Sequence, residues 1–273
     1  MTFQENIQLA TLAGARGIWI TTFEEVRVRE ELFNVAGNCD QLIFMWSAAS
    51  GLQSEDTVIL PPAAKLVGAL QYMQDSKQEG WFVLFDAHAD LQDGVLRRVR
   101  ELILYGVAKC FMVSPKSEIP FELSHEFISI PYRLPTTVEL ADSMKKIRDI
   151  PASGIFQVAE SAVGLTLHEA HYAIRRAVLA GHRKIPGLVH NVWEYKTNQI
   201  AQSGMLTISR PSETWNDVAG VYGFRSWIDA RLRVFSPEAR KKGVPIPRGV
   251  LFVGPYGTGK SLISKVIASK LGW

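Results

Sequence analysis

Cysteine is scarce in this sequence, because the 273 residues include only Cys39 and Cys110. Two cysteines at this separation form neither a disulfide framework nor a zinc-binding pattern, which excludes the class of small disulfide-stabilised secreted domains. Their usage therefore favours a reducing compartment. Because both residues lie beside apolar segments, we expect both to be small buried side chains.

A long apolar run is also missing. No stretch approaches the roughly 18 apolar residues of a membrane span. Residues 1–5 lack the basic region and the apolar core of a signal peptide. The sequence therefore predicts a protein that has no membrane span and lies in the cytoplasm.

Nucleic-acid-binding motifs are absent as well, although charge is unevenly distributed along the chain. Residues 210–273 contain 11 Lys or Arg and 4 Asp or Glu, whereas residues 1–209 contain 19 and 23. A basic segment attracts polyphosphates and also nucleic acids. Without a supporting motif, we consider nucleic acid an unlikely partner. The composition, with 47% hydrophobic and 21% charged residues, is that of an ordinary globular protein.

The strongest motif is the Gly-x-x-x-x-Gly-Lys-Ser pattern of residues 254–261. It follows the apolar run 250–253, which predicts a strand, and it precedes a helical pattern over residues 262–271. In such a phosphate loop (Walker A), backbone N–H groups and the helix N-terminus surround a polyphosphate. Lys260 would reach the β- and γ-phosphates, and the Ser261 hydroxyl would ligate Mg²⁺. The predicted binding residues are Gly254, Pro255, Tyr256, Gly257, Thr258, Gly259, Lys260, Ser261 and Leu262.

Upstream of this motif, short apolar strands alternate with helices. The alternation predicts an α/β layer with a mainly parallel sheet. Beyond residue 138 the strand signals stop, and Thr166 with Glu169 forms the capping box of a helix. The sequence thus predicts a small helical subdomain, with a short helix and a connector over residues 183–210. The predicted strands are 17–21, 42–46, 81–85, 109–113 and 127–130, and the predicted helices run from the acidic turn 21–25 to about 36 and over about 63–72, 91–104, 138–147, 156–163 and 166–180.

Two boxes in the C-terminal part resemble AAA+ ATPases. Residues 215–221, Trp-Asn-Asp-Val-Ala-Gly-Val, look like the opening box of an AAA+ module, and residues 243–251 look like the entry to its phosphate loop. The resemblance implies binding of ATP and Mg²⁺, with Val218, Ala219 and Gly220 against the adenine. It also implies self-assembly or assembly with other AAA+ subunits, acting on an unknown protein client.

A looser resemblance extends over most of the chain. A strand ending in Asp86 and the segments 111–115 and 164–170 resemble the uncharacterised AAA+ proteins of cyanobacteria and red-algal plastid genomes. The family implies a degenerate P-loop-like (RecA/AAA-type) parallel sheet with a small helical lid, followed by the start of a second AAA+ module. It also implies the plastid stroma as the location if the gene is plastid-encoded. The expected parts are a degenerate ATPase-like domain over 1–137, a helical lid over 138–183, a linker over 184–212 and the N-terminal part of an AAA+ module over 213–273.

One departure from the family concerns catalysis. Hydrolysis needs an acidic pair that holds Mg²⁺ through water and polarises the attacking water, and the sequence contains no Asp-Glu dipeptide. The sensor and arginine-finger regions of the module are also lacking. We therefore expect a fragment or truncated form whose catalytic residues are unknown. The alternative is a non-catalytic interaction or regulatory protein with a degenerate ATPase domain.

A second motif, Asp86, His88 and Asp90, has metal-ligand spacing and resembles the manganese motif of arginase-like ureohydrolases. The other two ligand segments of those enzymes are absent, so a manganese-dependent hydrolase is the less favoured alternative. We expect Asp86 to mark a vestigial acidic strand end, and His88 and Asp90 to be exposed turn residues.

His168 and His171 are expected on a solvated helix surface. Arg97, Arg98 and Arg100 are expected on a charged helix face.

Overall fold

The computed structural model describes residues 2–54, 57–62, 65–76, 79–147, 150–202, 213–235, 239, 242, 244–245 and 249–271. The chain divides into two compact units, Met1–Lys196 and Thr197–Trp273. Each unit has its own hydrophobic clusters, and the two are considered in turn. Among the described residues, no helix is both long enough and apolar enough to cross a membrane.

A seven-stranded sheet forms the centre of the first unit, in the order β4-β3-β2-β5-β6-β1-β7. Strands β2, β5, β6, β1 and β7 pair in parallel with their neighbours in this order. Strands β3 and β4 form an antiparallel hairpin that extends the sheet beyond β2. The sheet is the predicted α/β layer, and its parallel strands lie where the apolar runs predicted them. The strands are β1 (Gly17–Thr21), β2 (Ile43–Ser47), β3 (Gly51–Ser54), β4 (Thr57–Leu60), β5 (Trp81–Phe85), β6 (Lys109–Ser114) and β7 (Phe127–Pro131).

The sequence analysis missed the hairpin. Gly51, the first residue of β3, has φ +72°, and a Cβ at this position would lie 2.1 Å from the carbonyl oxygen of Leu60. Only glycine fits such a close approach. The chain therefore reverses at this point and adds two short strands before the next helix.

Helices cover both faces of the sheet, as a parallel sheet requires. Helices α1 (Phe3–Leu12) and α2 (Glu25–Asn38) cover one face, and α3 (Lys65–Ser76) and α4 (Asp93–Tyr105) cover the other. Strand β1 shows the two-residue period, because Ile18 and Ile20 belong to the cluster of α1 and α2 whereas Trp19 belongs to that of α3 and α4. All five residues of β5 are buried, which explains its continuous apolar sequence.

Four helices after the sheet form the predicted helical subdomain: α5 (Thr137–Met144), α6 (Ile155–Ala162), α7 (Leu167–Leu179) and α8 (Ile185–Gln202). Their apolar side chains share one cluster. The sequence predicts only a short helix near α8, but the structure has 18 helical residues there, with Leu188 and Val192 fully buried. The four-part division of the chain at residues 137, 183 and 212 stays a prediction.

Two α-helices lie wholly within the described residues of the second unit, α9 (Tyr222–Leu232) and α10 (Lys260–Leu271). Trp215, Ile228, Ile263 and Val266 are its buried residues, and Phe252 packs beside them. The strand predicted over residues 250–253 is wrong for the described structure, which assigns no strand to these residues. A strand exists only through hydrogen bonds to a neighbour, and none of the described residues of this unit forms a second strand.

The two cysteines differ in exposure. Cys110 is buried, as expected, and burial raises the pKa of its thiol to about 12. Cys39 is exposed, so the expectation for it was wrong. It follows the last residue of α2 and accordingly lies at a helix end, outside the apolar cluster.

Candidate functional site

The phosphate loop, residues 254–261, joins the apolar run 250–253 to α10. Gly257 and Gly259 have φ angles of +81° and +79°, in the left-handed region that favours glycine. The loop thus turns twice within three residues before α10 begins at Lys260. Tyr256, next to Pro255, is fully exposed, so its side chain does not enter the loop.

Lys260 folds back over this loop. Its ammonium group donates hydrogen bonds to the carbonyl oxygen of Gly254 at 2.9 Å, to the Thr258 hydroxyl at 3.3 Å, and to the carbonyl oxygen of Pro255. The Thr258 hydroxyl in turn donates to the Pro255 carbonyl at 2.9 Å. The charge of Lys260 is therefore held at the centre of the loop by oxygen atoms that a phosphate group could replace.

The start of α10 leaves backbone donors available. The first helical hydrogen bond runs from the N–H of Ile263 to the carbonyl oxygen of Gly259, at 2.9 Å. No acceptor within the described parts of the chain bonds the N–H groups of residues 257–261. Free N–H groups and the positive end of the helix dipole suit an anion. The Ser261 side chain is exposed at the same end of the helix and offers a hydroxyl oxygen to a metal ion.

The segment predicted to face adenine, residues 218–220, lies beside the hydrophobic cluster of the second unit. Val218 and Ile263 pack in one hydrophobic cluster, and Ile263 belongs to the first turn of α10. Ala219 and Gly220 are exposed, and Gly220 has φ +77°. The segment before them is fixed by a capping box, in which Thr214 N–H donates to Asp217 Oδ2 at 2.7 Å. The cluster therefore places Val218 beside the helix that follows the loop.

Asp86, His88 and Asp90 do not form a metal centre. The Nδ1 atom of His88 lies 2.9 Å from the Ser114 hydroxyl and 3.8 Å from Asp86 Oδ1. In the part of the chain that the structure describes, no three His, Cys, Asp or Glu side chains are grouped so as to hold a metal ion. His88 was expected to be exposed, but only 15% of its side chain is accessible. The structure thus favours a structural role in which His88 joins the end of β5 to the end of β6.

The other polar motifs also have structural partners. His171 was expected on a solvated surface, but its Nε2 atom lies 3.0 Å from the Ser143 hydroxyl and joins α7 to α5. His168 is exposed, as expected. The arginines of α4 form the expected charged face, and their partners are Glu101 for Arg97, Gln71 for Arg98 and Glu126 for Arg100.

Sequence reasoning missed Glu24, in the turn after β1. This carboxylate is almost fully buried and accepts a hydrogen bond of 2.6 Å from the N–H of Leu167 at the start of α7. The two adjacent glutamates at the start of helix α2, residues 24–25, were the only signal for it in the sequence. Because its partner is 143 residues away, the pattern alone could not have identified the contact.

A model of one protein family matches residues 3–132: the N-terminal domain of SpoVK-like AAA ATPases. This range contains all seven strands of the sheet. Nearly the whole chain is also similar to longer proteins. It is 25% identical over 283 residues to an uncharacterized AAA domain-containing protein, ycf46, of Guillardia theta, covering 99% of this chain and 56% of the relative. The ycf46 protein of Pyropia yezoensis is 25% identical over 282 residues, covering 98% and 57%.

The chain therefore spans little more than half the length of these two relatives. A shorter stretch, 26% of the chain, is 42% identical over 74 residues to the ATP-dependent zinc metalloprotease FtsH of Acidothermus cellulolyticus, of which it covers 11%.

Proposed function

We propose that this chain, which resembles AAA ATPases in its sequence motifs and over residues 3–132, binds Mg-ATP through the phosphate loop of residues 254–261. The observation that carries the proposal is the position of Lys260. Its ammonium group is held by three oxygen atoms inside the loop, beside N–H groups that have no acceptor among the described residues. Phosphate oxygens would replace the carbonyl acceptors of Lys260 and accept from these N–H groups.

The proposed metal ligand from the protein is the Ser261 hydroxyl. A serine oxygen suits Mg²⁺, which keeps several waters and takes its other ligands from the phosphates. The proposed adenine contacts are Val218, Ala219 and Gly220, because Val218 shares a cluster with the first turn of α10. These residues bind and orient the nucleotide. The similarity to AAA proteins supports the use of ATP together with Mg²⁺.

Hydrolysis is not assigned to any residue of this chain. The sequence has no Asp-Glu pair, and an acidic group is needed to orient the attacking water. We propose that the chain assembles with copies of itself or with other AAA subunits, as members of the family do, and that a protein client is acted on. The activity and the client of the whole protein stay proposals.

A binding assay with Lys260→Ala tests the function. Loss of a charge-assisted hydrogen bond to phosphate costs about 1.5–3 kcal/mol, so the affinity for Mg-ATP should fall roughly 10- to 100-fold. Lys265→Ala is the matched control, since Lys265 lies on the same helix but pairs with Glu213 at 3.0 Å. Its affinity should stay within about twofold of the wild type. Titration with a fluorescent ATP analogue, with and without Mg²⁺, measures the affinities of the wild type and both variants.

Two results would count against nucleotide binding by the phosphate loop. Negligible affinity of the wild type, equal to that of Lys260→Ala, would favour the alternative of a non-catalytic interaction protein. An equal loss of affinity in Lys260→Ala and Lys265→Ala would mean that general positive charge, and not the loop, holds the nucleotide.

A further inference from the structure

The turn after β1 differs in chemistry from the phosphate loop, although it also connects an apolar segment to a helix. It contains neither glycine nor lysine and reads Thr-Thr-Phe-Glu-Glu over residues 21–25. The N–H of Glu24 donates to the Thr22 hydroxyl at 2.8 Å, which fixes the turn. Only 5% of the Glu24 side chain is accessible. The turn therefore places a carboxylate inside the first unit.

This carboxylate meets the N-terminus of α7. Glu24 Oε1 accepts a hydrogen bond of 2.6 Å from the N–H of Leu167, the first residue of that helix. The N–H of residue Glu169 is capped separately by Thr166. A negative charge at a helix N-terminus is favourable, and phosphate groups bind at such positions for the same reason. Glu24 thus supplies an internal anion where a ligand could otherwise sit.

Arg27 extends the contact to a second helix of the helical subdomain. Its guanidinium lies 3.8 Å from Glu24 Oε1 and 2.9 Å from Glu139 Oε1, and Glu139 caps the N-terminus of α5. Arg133 binds the other oxygen of Glu139 at 2.6 Å. Through Arg27, which lies on α2, the helix layer of the sheet is connected to the starts of both α5 and α7.

We propose that Glu24 takes the structural place of a bound phosphate in the first unit and holds the helical subdomain against the sheet without any ligand. With Arg27 as the second contact, the first unit keeps a fixed, nucleotide-independent arrangement. This inference concerns residues 1–196 and is independent of nucleotide binding at Lys260.

The surface beside this turn supports the proposal. A hollow at the carboxyl ends of β1, β5 and β6 is lined by Thr22, Phe23, Glu25, Asp86 and Ser114, among others. Partial burial, and then the charge of Asp86, raises the pKa of Glu25. Two neighbouring carboxylates repel a polyphosphate. The position at which open α/β sheets bind ligands is therefore unfavourable for a nucleotide in this unit.

Glu24→Ala tests the proposal, with Glu25→Ala as the matched control on the same turn. Removing a charge-assisted hydrogen bond should lower the Tm of Glu24→Ala by roughly 4–8 °C. Glu25→Ala, which removes an exposed carboxylate, should shift the Tm by less than about 2 °C. Trypsin should cleave Glu24→Ala faster at Arg133, in the connection between β7 and α5. Formate, a small carboxylate, should restore part of the lost Tm at an ionic strength matched with chloride.

Equal Tm values and equal cleavage rates in the two alanine variants would overturn the proposal, and so would restoration by chloride as large as that by formate. If Glu24→Ala does not fold, Glu24→Gln replaces it. The amide oxygen still accepts from Leu167 but no longer attracts Arg27, so a smaller loss of Tm without formate rescue is expected. A Glu24→Gln protein as stable and as protease-resistant as the wild type would also reject the role of the anion. Each variant should bind Mg-ATP with wild-type affinity, which separates this test from that of Lys260.

Discussion

At the scale of single residues, the contribution of a carboxylate to the stability of the first unit can be tested at Glu139. Burial raises the pKa of this carboxyl, but hydrogen bonds from Arg133 and from the N–H and hydroxyl of Thr136 outweigh it and lower the pKa to about 2. A lowered folded-state pKa adds stability above the unfolded value of about 4.5, and this stability is lost as pH falls towards 2. Because about a third of the side chain is exposed, we discount the effect to about 1 kcal/mol.

Glu139→Gln measures this contribution. Urea unfolding should show the variant about 1 kcal/mol less stable than the wild type at pH 7, with the difference shrinking between pH 4.5 and the acid limit of folding. Asp142→Asn is the control, because Asp142 forms an exposed pair with Lys145 on the same helix. A difference for Glu139→Gln that is constant with pH would contradict the assigned cause.

At the scale of secondary-structure elements, helix α8 shows what local patterns do not reveal. Pro186 and Gly187 reduce its helical signal, yet proline is tolerated in the first turn of a helix, where its missing N–H is not needed. The helix is stabilised by packing, since Leu188 and Val192 are fully buried among α5, α6 and α7. Tertiary contacts of this kind decide the length of a helix more than its propensity does.

Leu188→Ala should therefore destabilise the helical subdomain by about 2–5 kcal/mol, through lost burial and a cavity. Leu179→Ala is the matched control, because Leu179 ends α7 in the same subdomain but is 87% exposed. It should change the free energy of unfolding by less than about 0.5 kcal/mol. Equal effects in denaturant titrations would mean that α8 does not pack as the structure shows.

The difference between local and non-local contacts explains which elements the sequence could predict. The strands of the parallel sheet were predictable because each is a short apolar run, and the central strand β5 is buried along its whole length. The antiparallel hairpin was not, since it depends on the close approach of Gly51 to Leu60. The run 250–253 has the composition of a strand, but pairing is a non-local property. In the phosphate loop the motif predicted the turn before α10, and the structure adds the positive φ angles of Gly257 and Gly259. The contact from Glu24 to Leu167 could not be predicted from any sequence pattern.

At the scale of the whole molecule, the cysteines allow opening of the first unit to be followed by itself. Both lie in residues 1–196, and Cys110 is buried whereas Cys39 is exposed. In a Cys39→Ser protein, labelling of Cys110 by a thiol reagent therefore reports opening of the first unit alone. All proposed nucleotide contacts lie in residues 197–273. Ligand linkage stabilises the unit that binds the ligand.

Mg-ATP at 100 times its Kd should stabilise the second unit by about 2.7 kcal/mol and leave the rate of Cys110 labelling unchanged. Calorimetry detects the first effect as a rise in the midpoint temperature of one unfolding transition. This rise should be absent in Lys260→Ala and present in Lys265→Ala. Leu188→Ala identifies the other transition, because it should lower only the melting of the first unit. Slower labelling of Cys110 with Mg-ATP, persisting in Lys260→Ala, would place a nucleotide in the first unit. That result would contradict the role of Glu24 as its internal anion and leave the phosphate loop to be judged by its own affinity.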